Sequence, residues 1–405
     1  MSEPSSDPLA GAHRRTIPTL RLATPAAVDV FIRILTHGPI SRVDITRQTG
    51  LSQAAVTKAV APLIAAGFVT DAVPARAADA APGRPAQPLR VVPEAMLALG
   101  VKINADEIIG VAATMRMAVL HAVHRPLADH GVTTVVDQIT DVVAELLREL
   151  GPDAERVVGV GVSASGDVDP THGVVRRSPL LGWAGVPLGE LLETRLRRPV
   201  LVDNDVRALT IAEEWFGVGV GVESFAIVTI GAGIGCGLYL NGDVVSGARG
   251  VAGEIGHLPL GPHDRTCRCG RHGCVETVAS SGAILAAVRD GRGEPELTFA
   301  EAAELARDGD PIAADAFGRA GTILGKAIAS MVNLVGPELV LVMGESASDY
   351  DVYEKPLREC LAEWAFGAAA GCRVITRKHS MDAWARGAAA SVIRSVVRQE
   401  FPGRR

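Results

Sequence analysis

The chain has 405 residues, 48% of them hydrophobic, and a formal net charge of -6. That length is too great for one ordinary hydrophobic core and predicts about two to three domains. The polar, Pro- and Ser-bearing start predicts no signal peptide, and the most apolar run, residues 225–240, is too short and too rich in glycine for a membrane helix, so a cytoplasmic protein without a membrane partner is expected.

Charge is unevenly placed. Residues 1–92 hold ten Lys/Arg against six Asp/Glu, which leaves a net of -10 for the remainder. A small basic head on a large acidic body suits a nucleic-acid reader joined to something that does not touch nucleic acid, although ordinary scatter also produces such a surplus.

Residues 1–20 read as a flexible tail carrying His13, Arg14 and Arg15. A helix is predicted over 24–36, closed by His37-Gly38-Pro39. Ser41 and Asp44 have the spacing of a capping box and open a helix that runs to Gly50. Ser52 restarts the chain, and Val56, Val60, Leu63 and Ile64 follow at the helical period until Gly67. Two short helices around a Gly turn make a helix-turn-helix, and residues 68–70 and 89–92 read as the strands of a wing with Gly83-Arg84-Pro85 at its tip. A winged helix-turn-helix DNA-binding domain is thus predicted over 21–92. Its second helix leaves Gln53, Ala54, Thr57 and Lys58 opposite the apolar stripe, where they can reach a major groove. The candidate DNA contacts are Arg42, Ser52, Gln53, Thr57 and Lys58, with Arg84 for a minor groove. The competing reading is a helical bundle for dimerisation. Pro85, Pro88 and Pro93 mark the linker.

Beyond the linker, strands and helices alternate in the manner of an α/β domain with a mixed sheet: strands over 99–103, 110–115 and 118–125, a helix over 134–150, and a strand over 157–162. A second lobe is predicted to begin near Asp205 and to contain a Gly-rich hairpin over 229–237. Helices over 313–334 and 383–397 would pack on the sheets.

Three of the six cysteines, Cys267, Cys269 and Cys274, fall within eight residues, close to His257 and Glu276. Three thiolates and an imidazole complete a tetrahedral Zn²⁺ shell, and Gly270 and Gly273 allow the tight turn that gathers the sulfurs. Chance free thiols or a disulfide are the alternatives. A filled shell leaves no position for water, so the expected zinc is structural.

The run Ile230-Gly-Ala-Gly-Ile-Gly-Cys-Gly, then Gly247-Ala-Arg-Gly-Val-Ala-Gly-Glu254-Ile-Gly-His257 and the cysteine cluster, resembles the ROK family of bacterial sugar kinases and related transcriptional repressors. The segments around Gly159–Pro170, Ser178–Trp183 and Val202–Asp205 continue the likeness, which covers nearly all of residues 97–400. The winged head is similar to the repressor branch, since the kinases lack it. The resemblance implies a two-lobed, actin-like/ribonuclease H-like sugar-kinase fold over 93–405, with lobe one at about 97–204 plus the C-terminal helix and lobe two at about 205–381. It also implies sugar contacts at Gly166, Asn204, Asp205, Glu254, His257 and Glu276. Asp205 stands where kinases keep their general base, and His257 would serve both zinc and sugar.

Departures from the kinase pattern are as informative. Lys102-Ile-Asn104-Ala-Asp106-Glu107 replaces the glycine-rich phosphate loop and sets two carboxylates where phosphate would sit, so ATP binding is expected to be badly impaired and Asp205 to be a vestigial base. Leu180 and Arg207 stand where amide side chains are usual, and Gly344-Glu345 lacks a glycine run. The sequence therefore predicts a non-enzymatic, sugar-responsive regulator, most readily a repressor of carbohydrate genes. It would act as a homodimer or homotetramer on a palindromic double-stranded operator. The alternative is an active ATP-dependent sugar kinase.

Overall fold

The computed structural model describes residues 20–72, 87–378 and 380–400, which form two compact units. The first ends at Met96 and also takes in Pro152–Arg156, and the second holds Leu97–Gly151 and the chain from Val157 onward.

The first unit contains α1 (Pro25–His37), α2 (Arg42–Thr49), α3 (Gln53–Ala65) and a hairpin of β1 (Val69–Asp71) and β2 (Leu89–Val91). Each helix is started by a hydroxyl side chain. Thr24, Ser41 and Ser52 accept from the backbone N–H of Ala27, Asp44 and Ala55, satisfying donors that a first turn leaves without partners. At Ser41 the expected capping box is only half made: the shorter Asp44 carboxylate accepts from the Ser41 hydroxyl at 2.7 Å, whereas the full motif uses the longer Glu or Gln. Gly50 ends α2 at φ 69°, a conformation open to glycine without a Cβ penalty. Val56, Val60 and Leu63 are buried as predicted. Ile64 is 37% exposed, because one further residue turns it about 100° past Leu63 and off the stripe.

The second unit opens with β3 (Leu97–Ile103), β4 (Glu107–Thr114) and β5 (Val119–Pro126), followed by α4 (Val132–Leu150) and β6 (Val157–Ala164). A small sheet of β7 (Asp167–Asp169), β8 (Val174–Ser178) and β9 (Trp183–Val186) precedes α5 (Leu188–Leu196), β10 (Val200–Asn204) and α6 (Asp205–Phe216). In the five-stranded sheet β10-β6-β3-β4-β5, β10, β6 and β3 run parallel, β4 returns antiparallel to β3, and β5 is antiparallel to β4.

A second five-stranded sheet is built from β11 (Phe225–Ile230), β12 (Ile234–Leu240) and β13 (Asp243–Val244), and from two strands that arrive after a helical excursion. The excursion comprises α7 (Glu276–Ala279), α8 (Ser281–Arg292), α9 (Phe299–Arg307) and α10 (Pro311–Val335). Then come β14 (Leu339–Met343), α11 (Asp351–Trp364), β15 (Arg373–Thr376) and α12 (Asp382–Arg398). The order is β13-β12-β11-β14-β15, so the Gly-rich segment is a true hairpin whose turn is Gly231-Ala232-Gly233.

Helices α6 and α12 pack on each other and touch both large sheets. Contact between α12 and the first sheet is unusually close: a Cβ on Gly100 or Gly161 would stand about 2 Å from the carbonyl oxygen of Ala385 or Ala388. Only glycine at those two strand positions lets the helix backbone settle against the sheet. The result places the end of β3, the start of α6, the β11–β12 turn and the start of α12 around one cleft. Among the described residues, no helix is long and apolar enough to cross a membrane.

Candidate functional site

The cleft is lined by Gly166, Asn204, Asp205, Glu254, His257 and Glu276, so the fold brings all six expected sugar contacts together. The β10–α6 junction positions two of them. Asn204 caps α6, its Oδ1 accepting from Val206 N at 3.0 Å and Arg207 N at 3.1 Å, while its Nδ2 donates to the Gly166 carbonyl at 3.1 Å. That last bond ties the β6–β7 turn to the cleft floor. Gly166 has φ 110°, and a Cβ there would strike the Arg177 carbonyl oxygen at 2.3 Å, so the turn requires glycine.

Asp205 is 8% exposed, and both carboxylate oxygens are engaged. Oδ1 accepts from Val206 N at 2.9 Å, and Oδ2 is paired with the ammonium of Lys102, itself 2% exposed at the end of β3. Lys102 Nζ also stands 5.3 Å over the Trp384 ring, within cation–π range. Sequence reasoning placed Lys102 in a lost phosphate loop and gave it no partner. A lysine inside the otherwise apolar strand Leu97–Ile103 was the available signal, because a buried charge demands a counter-charge.

The expected carboxylate repulsion at Asp106 and Glu107 needs correction. Asp106 is exposed, and Glu107 faces away to His124, whose Nδ1 lies 3.1 Å from it. The tight β3–β4 turn, closed by Asn104 N donating to the Glu107 carbonyl, carries both away, and the segment lines the cleft only with Lys102 and Asn104. The carboxylate facing Gly231 of the hairpin is Glu345, which follows β14. Desolvation of its carboxyl pushes Glu345 above the ordinary carboxylate range; a hydrogen bond from its own backbone N–H, Lys102 and a hydrogen bond from Trp384 oppose the rise, and Asp205 adds to it.

On the opposite wall, desolvation in the cleft raises Glu254, His257 lowers it, and Asp205 and Glu276 add to the rise. Glu276 opens α7 and accepts from Ile234 N at 3.2 Å. Arg207 is buried and paired with Asp203, and it reaches the Gly250 carbonyl at 3.4 Å. Arg176 donates to the neighbouring Arg249 carbonyl at 2.6 Å and to Asp167 at 3.0 Å. These two arginines hold the loop between β13 and Glu254 over the cleft, a role that nothing local in the sequence signalled.

Beside the cleft, the ligand atoms of His257, Cys267, Cys269 and Cys274 all lie within 4.8 Å of one another. Cys269 Sγ and Cys274 Sγ are 3.8 Å apart, close to the roughly 3.8 Å edge of a tetrahedron with Zn–S bonds of about 2.3 Å. His257 turns Nδ1 toward Cys267 Sγ at 3.7 Å and Nε2 toward Glu254 at 3.9 Å, so its two nitrogens face the thiols and the cleft respectively. The donor set fits Zn²⁺, which would supply a cross-link here. Desolvation pushes the Cys274 thiol to about 12, so a free thiolate would be costly there and a metal relieves that cost.

In the first unit, Gln53, Thr57 and Lys58 are exposed along α3, and Ser52 is exposed at its start, where its hydroxyl serves as the cap. Arg42 is engaged with Asp71 at 3.6 Å. Arg84, His13, Arg14 and Arg15 lie outside the described residues.

Two sheets sharing a cleft, with a Gly-rich hairpin, an Asn-Asp helix start and a His/Cys₃ cluster, define an α/β protein of the sugar-kinase-like type. The sequence signature of the ROK family spans residues 98–395, and the chain belongs to that family. It is 28% identical over 340 residues to the DNA-binding transcriptional dual regulator NagC of Escherichia coli, covering 82% of this chain and 83% of that protein. To the glucokinase of Thermotoga maritima it is 31% identical over 292 residues, covering 68% and 89%. The crystal structure of a ROK family transcriptional regulator, a homolog of the E. coli MLC protein, superposes with a TM-score of 0.77 at 28% identity, over 92% of this chain and 96% of that one.

Proposed function

We propose that the chain is a sugar-responsive transcriptional regulator of the ROK family, a repressor of carbohydrate genes that reads DNA with its first unit and binds its effector in the cleft. One observation carries the choice of regulator over kinase: likeness to a solved regulator runs through 92% of the chain, head included, whereas likeness to a glucokinase stops at 68%. In this reading the head, residues 21–92, is a winged helix-turn-helix. Gln53, Thr57 and Lys58 reach into a major groove, Ser52 and Arg42 meet phosphates, and Arg84 enters a minor groove. Two heads in a homodimer or homotetramer demand a roughly palindromic operator.

Effector recognition falls to Gly166, Asn204, Asp205, Glu254, His257 and Glu276. Carboxylates and an amide suit sugar hydroxyls, each of which donates and accepts. His257 would offer Nε2 to a hydroxyl while Nδ1 joins Cys267, Cys269 and Cys274 on a structural Zn²⁺ that fixes the ring's orientation. A ligand preferring one arrangement of the body would shift the population of DNA-competent dimers. The protein works in the cytoplasm, where DNA and imported sugar meet.

The test is fluorescence anisotropy of the DNA beside the protein's own gene at low salt, with and without a sugar panel. Absence of any protein–DNA complex would reject the reading. A second reading, active sugar kinase, draws on Asp205 at the position of the family's base. Its ion pair with Lys102 opposes it, since a base clamped by an ammonium is poorly placed to take a hydroxyl proton. A coupled ATP assay with turnover of roughly 1–100 per second would establish that reading instead.

A further inference from the structure

The β11–β12 turn has the glycines of a phosphate cradle but the surroundings of a turn that excludes anions. Two of its backbone donors already have partners: Gly231 N–H bonds the Gly233 carbonyl at 3.1 Å, and Ile234 N–H bonds Glu276 at 3.2 Å. A Cβ on Gly231 would stand 1.7 Å from Glu345 Oε2, and one on Gly233 would stand 2.9 Å from Glu276 Oε2. The glycines therefore make room for two carboxylates, one against each shoulder of the turn. Gly344 sets Glu345 in place: its φ is 107°, and a Cβ there would meet the Ile230 carbonyl oxygen at 2.4 Å. Of the cations that line the cleft, Lys102 is paired with Asp205 and Arg207 with Asp203, while Arg268 lines it on the side of Ala232 and Glu276.

We propose that Glu345 and Glu276 close this turn to phosphate, so that the cleft selects an uncharged sugar over its phosphate ester, with Glu345 as the specificity-determining residue. A phosphate dianion brought to the turn would meet two carboxylates at short range, one at each shoulder. An uncharged sugar meets no such repulsion. The proposal rests on the reading of the cleft as a sugar site.

The experiment is titration calorimetry of the full-length, zinc-loaded chain with neutral hexoses and N-acetylhexosamines and with the 6-phosphates of the same sugars. Glu345→Gln and Glu345→Gly are measured beside the parent. The parent should bind at least one neutral sugar ten-fold or more tighter than its phosphate. Glu345→Gly should narrow that ratio about ten-fold through gain of the phosphate ester, and the isosteric Glu345→Gln should narrow it about three-fold. An ester that binds the parent as tightly as the free sugar overturns the proposal and leaves the sugar site standing. So does an unchanged ratio in the Gln variant with its circular dichroism and zinc content intact. Binding of no sugar of either kind overturns the sugar reading and the proposal together.

Discussion

Lys102 and Asp205, 103 residues apart, form a buried ion pair between the end of β3 and the first turn of α6. The pair joins the first sheet to the helix that also packs under the second, and it does so beside the cleft. Removing one partner leaves the other's charge uncompensated in a dry place, which costs far more than replacing both.

Lys102→Met is accordingly expected to lower stability by about 3–5 kcal/mol, and the double variant Lys102→Met/Asp205→Leu to recover most of that loss. Urea denaturation of the three proteins measures it. A single variant within about 1 kcal/mol of the parent would show that water or another group solvates Asp205.

Zinc should be found at about one equivalent per chain and lost in Cys269→Ser, with a drop in melting temperature and a weaker sugar response. Elemental analysis with calorimetry checks both. A zinc-free variant that keeps its melting temperature and its response would remove the brace from the account.

Lys58 stands exposed on α3. If it neutralises one DNA phosphate, Lys58→Ala weakens binding across sequences and reduces the slope of log K against log salt by about one. Anisotropy titrations at several salt concentrations give the slope, and an unchanged slope takes Lys58 out of the interface.

His124 bridges Glu107 on β4 and Asp382 at the start of α12, at 3.1 and 2.8 Å. Desolvation acts to lower its pKa, but the hydrogen bonds to Glu107 and Asp382 outweigh it and raise the folded value above 6.5. A raised folded pKa means the bridge contributes fully below the unfolded value of about 6.5 and is lost as pH climbs through the folded one. His124→Gln should therefore flatten the fall in melting temperature between pH 5.5 and 8. An equal fall in both proteins would assign that pH dependence to other groups.

Several features were legible because their causes lie within a few residues. Ser41 and Ser52 announce helix starts since a cap meets its donor three positions on. Gly50 and Gly67 mark stops, both at positive φ. The spacing of Cys267, Cys269 and Cys274 holds most of a metal shell in one loop, with only His257 brought from further off. The alternation of apolar runs foretold β3 to β6, α10 and α12 to within a few residues, because period and length alone separate strand from helix.

The reading of the phosphate end went astray on Asp106 and Glu107, since the hand of a two-stranded turn decides which way its residues point and a linear string does not show it. Ile64 missed the core for a related reason, lying one step beyond the buried stripe. What the chain determined by itself was its local vocabulary: the caps, the periods, the metal cluster and the family signature. What tertiary structure alone decided was which distant charges meet: Lys102 with Asp205, Glu345 against Gly231, His124 with Asp382 and Arg207 under Gly250. Each of these joins residues far apart in the chain. For Lys102 burial makes a partner obligatory without naming it, and the packing of α6 and α12 between two sheets supplies Asp205.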